Sequence, residues 1–198
     1  MAIQIGAKPE SSFKQPLGLL SDCHRRIERF LAQLISVTAQ VQGGTLGEPQ
    51  REALEVALRY FRKAAPLHTE DEEASLFPRL RAADNLEAQA ALEALDSLEA
   101  DHDAADIAHA EVDRLGQHWL ETGGLAAEET RRLLETLHTL RETYRKHIAV
   151  EDNIIFPLAG RALTPEQITA VGQEMAARRG VPYETLLDGS RCASRRGL

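Results

Sequence analysis

An all-α fold is predicted, an up-down-up-down four-helix bundle with one short extra helix near the C-terminal end. Three observations point there. Apolar residues recur every three to four positions through four long segments, the period of an amphipathic helix. Glycine pairs and prolines fall where those segments stop. Aromatics make up only 5% of the chain while Ala, Leu, Glu and Arg are plentiful, which favours helix over sheet.

The first helix is expected from about Pro16 to Val41, with the stripe Leu20, His24, Ile27, Leu31, Leu34, Thr38 and Val41, ended by Gly43 and Gly44. The second starts after Pro49 and carries Leu54, Leu58, Phe61, Ala65, His68, Glu72 and Leu76 before Pro78. Pro66 lies inside it, where a missing N–H and a crowding ring predict a kink beside His68, with a helix that ends and restarts there as the alternative. The third covers about Glu87 to Leu120, with Leu95, Leu98, His102, Ala105, His109, Val112 and Trp119 in its stripe, and stops at Gly123-Gly124. The fourth runs from about Ala126 to Ala159 with Leu133, Leu137, Leu140, Tyr144, His147, Glu151 and Ile154 facing inward. Thr164-Pro165-Glu166-Gln167 then reads as a capped start for a short fifth helix, closed near Gly180 and Pro182. The chain divides accordingly into a flexible segment 1–15, the bundle 16–161, a short helix and extension 162–187, and a frayed tail 188–198.

At 198 residues the chain can bury a core without disulfides or a structural metal. A net charge of −8 argues against a nucleic-acid partner, which needs a basic surface. No apolar run approaches the roughly 20 residues of a membrane span, and the N-terminus has no signal-peptide core. Two cysteines, Cys23 and Cys192, do not make a disulfide framework, so a reducing cytoplasm is the expected location.

The chemistry lies in a repeat. His68-Thr-Glu-Asp-Glu72 is followed by Glu73 and by Phe77-Pro78; His147-Ile-Ala-Val-Glu151 is followed by Asp152 and by Phe156-Pro157. Each His and its Glu lie one helical turn apart on the same face, and that face is the apolar stripe. A buried carboxylate must be neutralised, paired or metal-bound. The other two helices bring His24 and His102 to their stripes rather than Lys or Arg. Four imidazoles and two carboxylates facing one interior form a nitrogen and oxygen ligand set suited to iron, manganese or zinc. A single histidine on a stripe is usually a satisfied core residue, and a single HxxxE is usually a surface pair; the repeated set is what favours metal. His109 reads as a core ring, His118 as structural, and His138 as a boundary side chain. Glu28 and Tyr144 lie about one turn from His24 and His147, where they could orient a ligand ring, though a solvated Glu and a core Tyr are the simpler readings. Cys23 reads as a small apolar packing residue, with redox chemistry as the alternative.

The pattern His24, His68-x3-Glu72, His102 and His147-x3-Glu151, with Phe-Pro after each HxxxE, resembles the hemerythrin-like (HHE cation-binding) superfamily over roughly Pro16 to Arg161. The resemblance implies a non-haem centre of two iron ions with an oxo or hydroxo bridge, at one end of a four-helix bundle. It implies Glu72 and Glu151 as bridges and His24, His68, His102 and His147 as terminal ligands. It also implies a small ligand at the metals, dioxygen, nitric oxide or peroxide.

Oxygen-carrying hemerythrins have a fifth histidine one turn after the third-helix ligand and an Asp as the last carboxylate; here those places hold Asp106 and Glu151. The set is closer to that of bacterial di-iron proteins linked to iron-centre repair and of iron and oxygen sensors, although the repair proteins usually begin with a small Cys-containing domain and no such segment precedes Pro16. Of about twelve positions on two six-coordinate irons, about ten would be filled by four His, two bridging Glu and one bridging oxygen. Asp106 could close one of the rest or act from outside the ligand set. Open positions favour reactivity or exchange over clean oxygen carriage, so an enzyme-like role stands beside binding or sensing. A ferritin-like centre is disfavoured because that class uses Glu-x-x-His.

Overall fold

Every regular element among the described residues, 11–84 and 86–184 of a computed structural model, is helical. The first rod is α1 (Pro16–Val41), opened by proline at its first position. It is ended by left-handed residues at Gln42 (φ 52) and Gly43 (φ 76). At Gly43 a Cβ would lie 2.2 Å from Thr130 Oγ1 and 2.8 Å from the Leu125 carbonyl, so only glycine fits both the turn and the close approach.

The second rod is α2 (Glu48–Lys63), α3 (Ala65–Asp71), a π-turn over Glu72–Leu76 (π1) and α4 (Phe77–Arg81). In place of a simple kink, the helix breaks at Ala64 and restarts with Pro66 in the first turn of α3, where a missing N–H costs nothing. The rod also continues past Pro78 to Arg81. The third rod is α5 (Leu86–Ala90) and α6 (Leu92–Thr122), interrupted at Ala91. The fourth is α7 (Ala127–Val150), a π-turn over Glu151–Ile155 (π2) and α8 (Phe156–Ala162). The extra helix is α9 (Pro165–Arg178), and its expected capping box is formed: Gln167 N donates to Thr164 Oγ1 at 3.3 Å and Thr164 N to Gln167 Oε1 at 2.9 Å.

Neither π-turn was expected. In each, the amide of the following phenylalanine reaches back five residues, from Phe77 to the Glu72 carbonyl and from Phe156 to the Glu151 carbonyl. Pro78 and Pro157 come next; they give no N–H to the ladder, and their rings need space a turn earlier, which the widened turn supplies. The extra residue per turn also corrects one inward assignment. Ile154 is 53% exposed, while its neighbour Ile155 is fully buried.

The rods form a ring, α1 against α2, α2 against α6, α6 against α7 and α7 against α1. Two apolar cores fill it. The larger holds Ile27, Leu31, Leu58, Phe61, Val112, Leu137 and Trp119, whose indole N–H donates to the Gly44 carbonyl at 2.8 Å. The second holds Leu20, Leu76, Phe77, Leu98, Ile155 and Phe156, sealed by Val171 and Met175 of α9 and by Phe13. Phe13 is fully buried although it falls in the segment expected to be flexible. Its carbonyl would lie 2.0 Å from a Cβ on Gly172, so the close seat on α9 requires glycine there. The tail 188–198 with Cys192, and residues 1–10, lie outside the described residues.

Along α1 and α6 the chain passes from the second core, through a polar layer, to the larger one; along the second and fourth rods it passes the other way. The polar layer is therefore enclosed by apolar side chains above and below.

Candidate metal centre

The polar layer contains all six side chains singled out in the sequence. His24 is 1% exposed, His68 and His147 4%, His102 7%, and Glu72 and Glu151 0%. Their ligating atoms fall into two groups, His24, His68, Glu72 and Glu151, and Glu72, His102, His147 and Glu151, each spanning no more than 4.8 Å. Both carboxylates belong to both groups, and the histidines divide two and two.

The four rings have one orientation in common, with Nε2 inward. The Nε2 atom of His24 lies 3.0 Å from Glu151 and 3.9 Å from Glu72; that of His147 lies 3.2 Å from Glu151. The Nε2 atoms of His68 and His102 lie 3.4 Å and 3.5 Å from Glu72. These contacts are close enough to act through charge, yet both oxygens of Glu72, both of Glu151 and Nε2 of His24 are buried with no aligned hydrogen-bond partner. Protein interiors rarely leave five such atoms unsatisfied in one place. Inward lone pairs on imidazole nitrogens and carboxylate oxygens around one small volume are what a cation of the first transition row requires.

Within the layer burial and charge pull in opposite directions. Burial opposes charge on Glu151, but the imidazoles of His147 and His24 outweigh it and hold the carboxyl low. Burial and the nearby Glu151 charge push Glu72 the other way, well above the ordinary range. Burial also lowers His24, yet the Asp152 and Glu151 carboxylates carry it up to about 9. His68 is driven far down by burial and by the neighbouring His24.

Outside the layer each repeat does a second job. The acid after each Glu reaches a histidine on a different rod: Glu73 lies 2.8 Å from Nδ1 of His102, and Asp152 lies 3.0 Å from Nδ1 of His24. The phenylalanine stacks on that same ring, Phe77 on His102 with 5° between planes and Phe156 on His24 with 12°. In the sequence these acids and phenylalanines show only as matched positions of the repeat, and that duplication is the one local signal of their shared task. Asp101 completes the outer set, 3.3 Å from Nδ1 of His147. Its outer side opens on a surface groove of about 530 Å³ lined also by His138, Thr139, Glu142, Thr143 and Lys146, separate from the buried layer.

Other candidates lie elsewhere. Glu28 is exposed, so Asp152 takes the place proposed for it beside His24. Tyr144 hydrogen-bonds to Nε2 of His109 at 2.9 Å and packs edge-on against the His147 ring, with centroids 6.4 Å apart, while the His109 ring stacks on Phe61 and belongs to neither ligand group. Burial holds His109 down at about 4. Asp106 is exposed and belongs to neither group. His118 lies 3.9 Å from Glu129 at the surface. Cys23 is buried, with an Arg26 nitrogen 2.9 Å from its sulfur, and burial raises its thiol. Next to Glu72, buried Asp71 is clamped by Arg178 at 2.9 Å and Arg179 at 2.7 Å, which fastens the end of α9 to the rim of the layer.

Among the described residues no helix is long and apolar enough to cross a membrane. An uncharacterized protein of Haemophilus influenzae is 28% identical over 176 residues, covering 86% of this chain and 94% of that protein. The hemerythrin HHE cation-binding domain model matches residues 15–159, which takes in both repeats, His24 and His102. On that match, joined to an enclosed layer of four histidines and two glutamates, the chain belongs to the hemerythrin HHE cation-binding domain family.

Proposed function

We propose that this protein holds two iron ions, one between His24 and His68 and the other between His102 and His147, with Glu72 and Glu151 shared by both, and that it binds or senses a small molecule there. The observation that carries this reading is the set of inward, buried and unpartnered ligand atoms divided into two overlapping groups. Iron would supply redox-active binding of dioxygen, nitric oxide or peroxide. The residues of the chain supply the rest: they exclude bulk water between two apolar cores, fix the rings through outer carboxylates, and balance charge. Since His24 and Glu72 favour their protonated forms in the metal-free layer, loading should release protons, measurable in weak buffer.

An enzyme-like role, in iron-centre repair or in oxidation of iron or peroxide, is the second reading. It is favoured by Asp106, which stands where oxygen carriers place a fifth histidine but is exposed and outside both ligand groups. Metal analysis of protein produced with ample iron should give close to two iron per chain. Iron-free protein of undiminished stability would refute both readings. Reducing the loaded protein without oxygen and then admitting oxygen separates them: reversible absorption changes support binding or sensing, and net turnover of iron or peroxide supports the enzyme.

A further inference from the structure

The two repeats correspond residue for residue: His68 to His147, Glu72 to Glu151, Glu73 to Asp152, Phe77 to Phe156, and His24 to His102 on the neighbouring rods. The outer contacts follow this correspondence with one break. Three of the four rings have a carboxylate at Nδ1: His24 has Asp152, itself anchored by the Ser21 hydroxyl at 2.7 Å, His102 has Glu73 and His147 has Asp101. His68 Nδ1 is buried with no partner. The reason is legible in the chain. Asp101 immediately precedes His102, and the residue that immediately precedes His24 is Cys23, whose sulfur lies beside Arg26 and offers no carboxylate.

An N–H donated to a carboxylate fixes a ligand ring's tautomer and orientation and makes the opposite nitrogen a stronger donor; losing one such partner typically costs about 10–100-fold in metal affinity. Both rings of the His102–His147 pair have this support, and only one ring of the His24–His68 pair does. We propose that the two metal positions are unequal, the His102–His147 position holding its ion tightly and the His24–His68 position exchanging it. This rests on the two-ion reading above and adds an order of loading to it, with Asp101 as a positioning residue.

The test is an anaerobic titration of the metal-free full-length protein with Fe(II) against a competing chelator. Two steps are expected, the second about 10–100-fold weaker. Asp101→Asn should weaken the tight step by a similar factor and draw the two together, with the melting temperature of the metal-free protein unchanged; Asp101→Glu should restore the separation. His68→Ala should keep one ion at the wild-type tight affinity. Equal steps in the wild type, an unchanged tight step in Asp101→Asn, or its loss in His68→Ala would overturn the inequality while leaving the two-ion reading intact. A wild-type chain that takes up no Fe(II) would reject that reading and this inference with it.

Discussion

The two HxxxE repeats share a backbone and differ in what surrounds it. Both place their glutamate at the start of a π-turn, and both send an acid and a phenylalanine to a histidine on another rod. Yet the imidazoles of His147 and His24, 3.2 and 3.0 Å away, hold the Glu151 carboxyl low, whereas burial and its twin's charge push Glu72 up. The residues beside them differ as well. Asp71, before Glu72, is fully buried and clamped by two arginines of the C-terminal helix region, while the corresponding Val150 before Glu151 is apolar. Duplicated local geometry therefore builds the layer of histidines and glutamates, and tertiary surroundings decide what each copy does in it.

The largest contrast is expected between two isosteric variants of the metal-free protein. Glu151→Gln removes the charge that balances His24 and His147 and should destabilise by about 3–5 kcal/mol, as for a broken buried pair. Glu72→Gln removes a charge that burial already opposes, its nearest imidazole nitrogens being 3.4 and 3.5 Å away, and should cost less. Denaturant unfolding measures both, and equal losses would remove the asymmetry. Next, Asp71→Asn leaves Arg178 and Arg179 without their buried counter-charge and should cost about 3 kcal/mol, with the α9 region losing amide-exchange protection first. The π-turns are tested by a neighbouring pair. Ile155→Ala opens a cavity in the second core at a cost of about 2–4 kcal/mol, while Ile154→Ala should stay within about 0.5 kcal/mol.

A smaller, pH-dependent effect belongs to His109. Its folded-state pKa of about 4 lies below the ordinary 6.5, so between those values the unfolded chain binds more protons. Its contribution is complete above about pH 6.5 and falls away as the pH drops toward 4, by up to about 3 kcal/mol. His109→Phe should flatten the acid limb of a stability–pH curve measured on metal-free protein. An unchanged limb would place that dependence elsewhere.

Periodicity made the four rods and the six converging side chains legible, because a stripe of apolar residues broken by His and Glu carries its own register. The π-turns were not legible, since an inserted residue leaves the composition untouched and shifts only the face, as Ile154 and Ile155 show. The partners of the four histidine rings were half legible: Glu73 and Asp152 stood out by repetition, but that they cross to His102 and His24 depends on how the rods pack. The pairing of Asp71 with Arg178 and Arg179 spans more than a hundred residues, and no local pattern foretells it. The break at Ala64 was legible in Pro66, whereas the break at Ala91 and the burial of Phe13 are likewise products of tertiary packing.

The most direct test is anomalous X-ray diffraction at the iron edge from crystals of iron-loaded protein. Two peaks are expected between Glu72 and Glu151, one beside His24 and His68 and the other beside His102 and His147. A single peak, or peaks outside the layer enclosed by the two apolar cores, would contradict a paired metal centre.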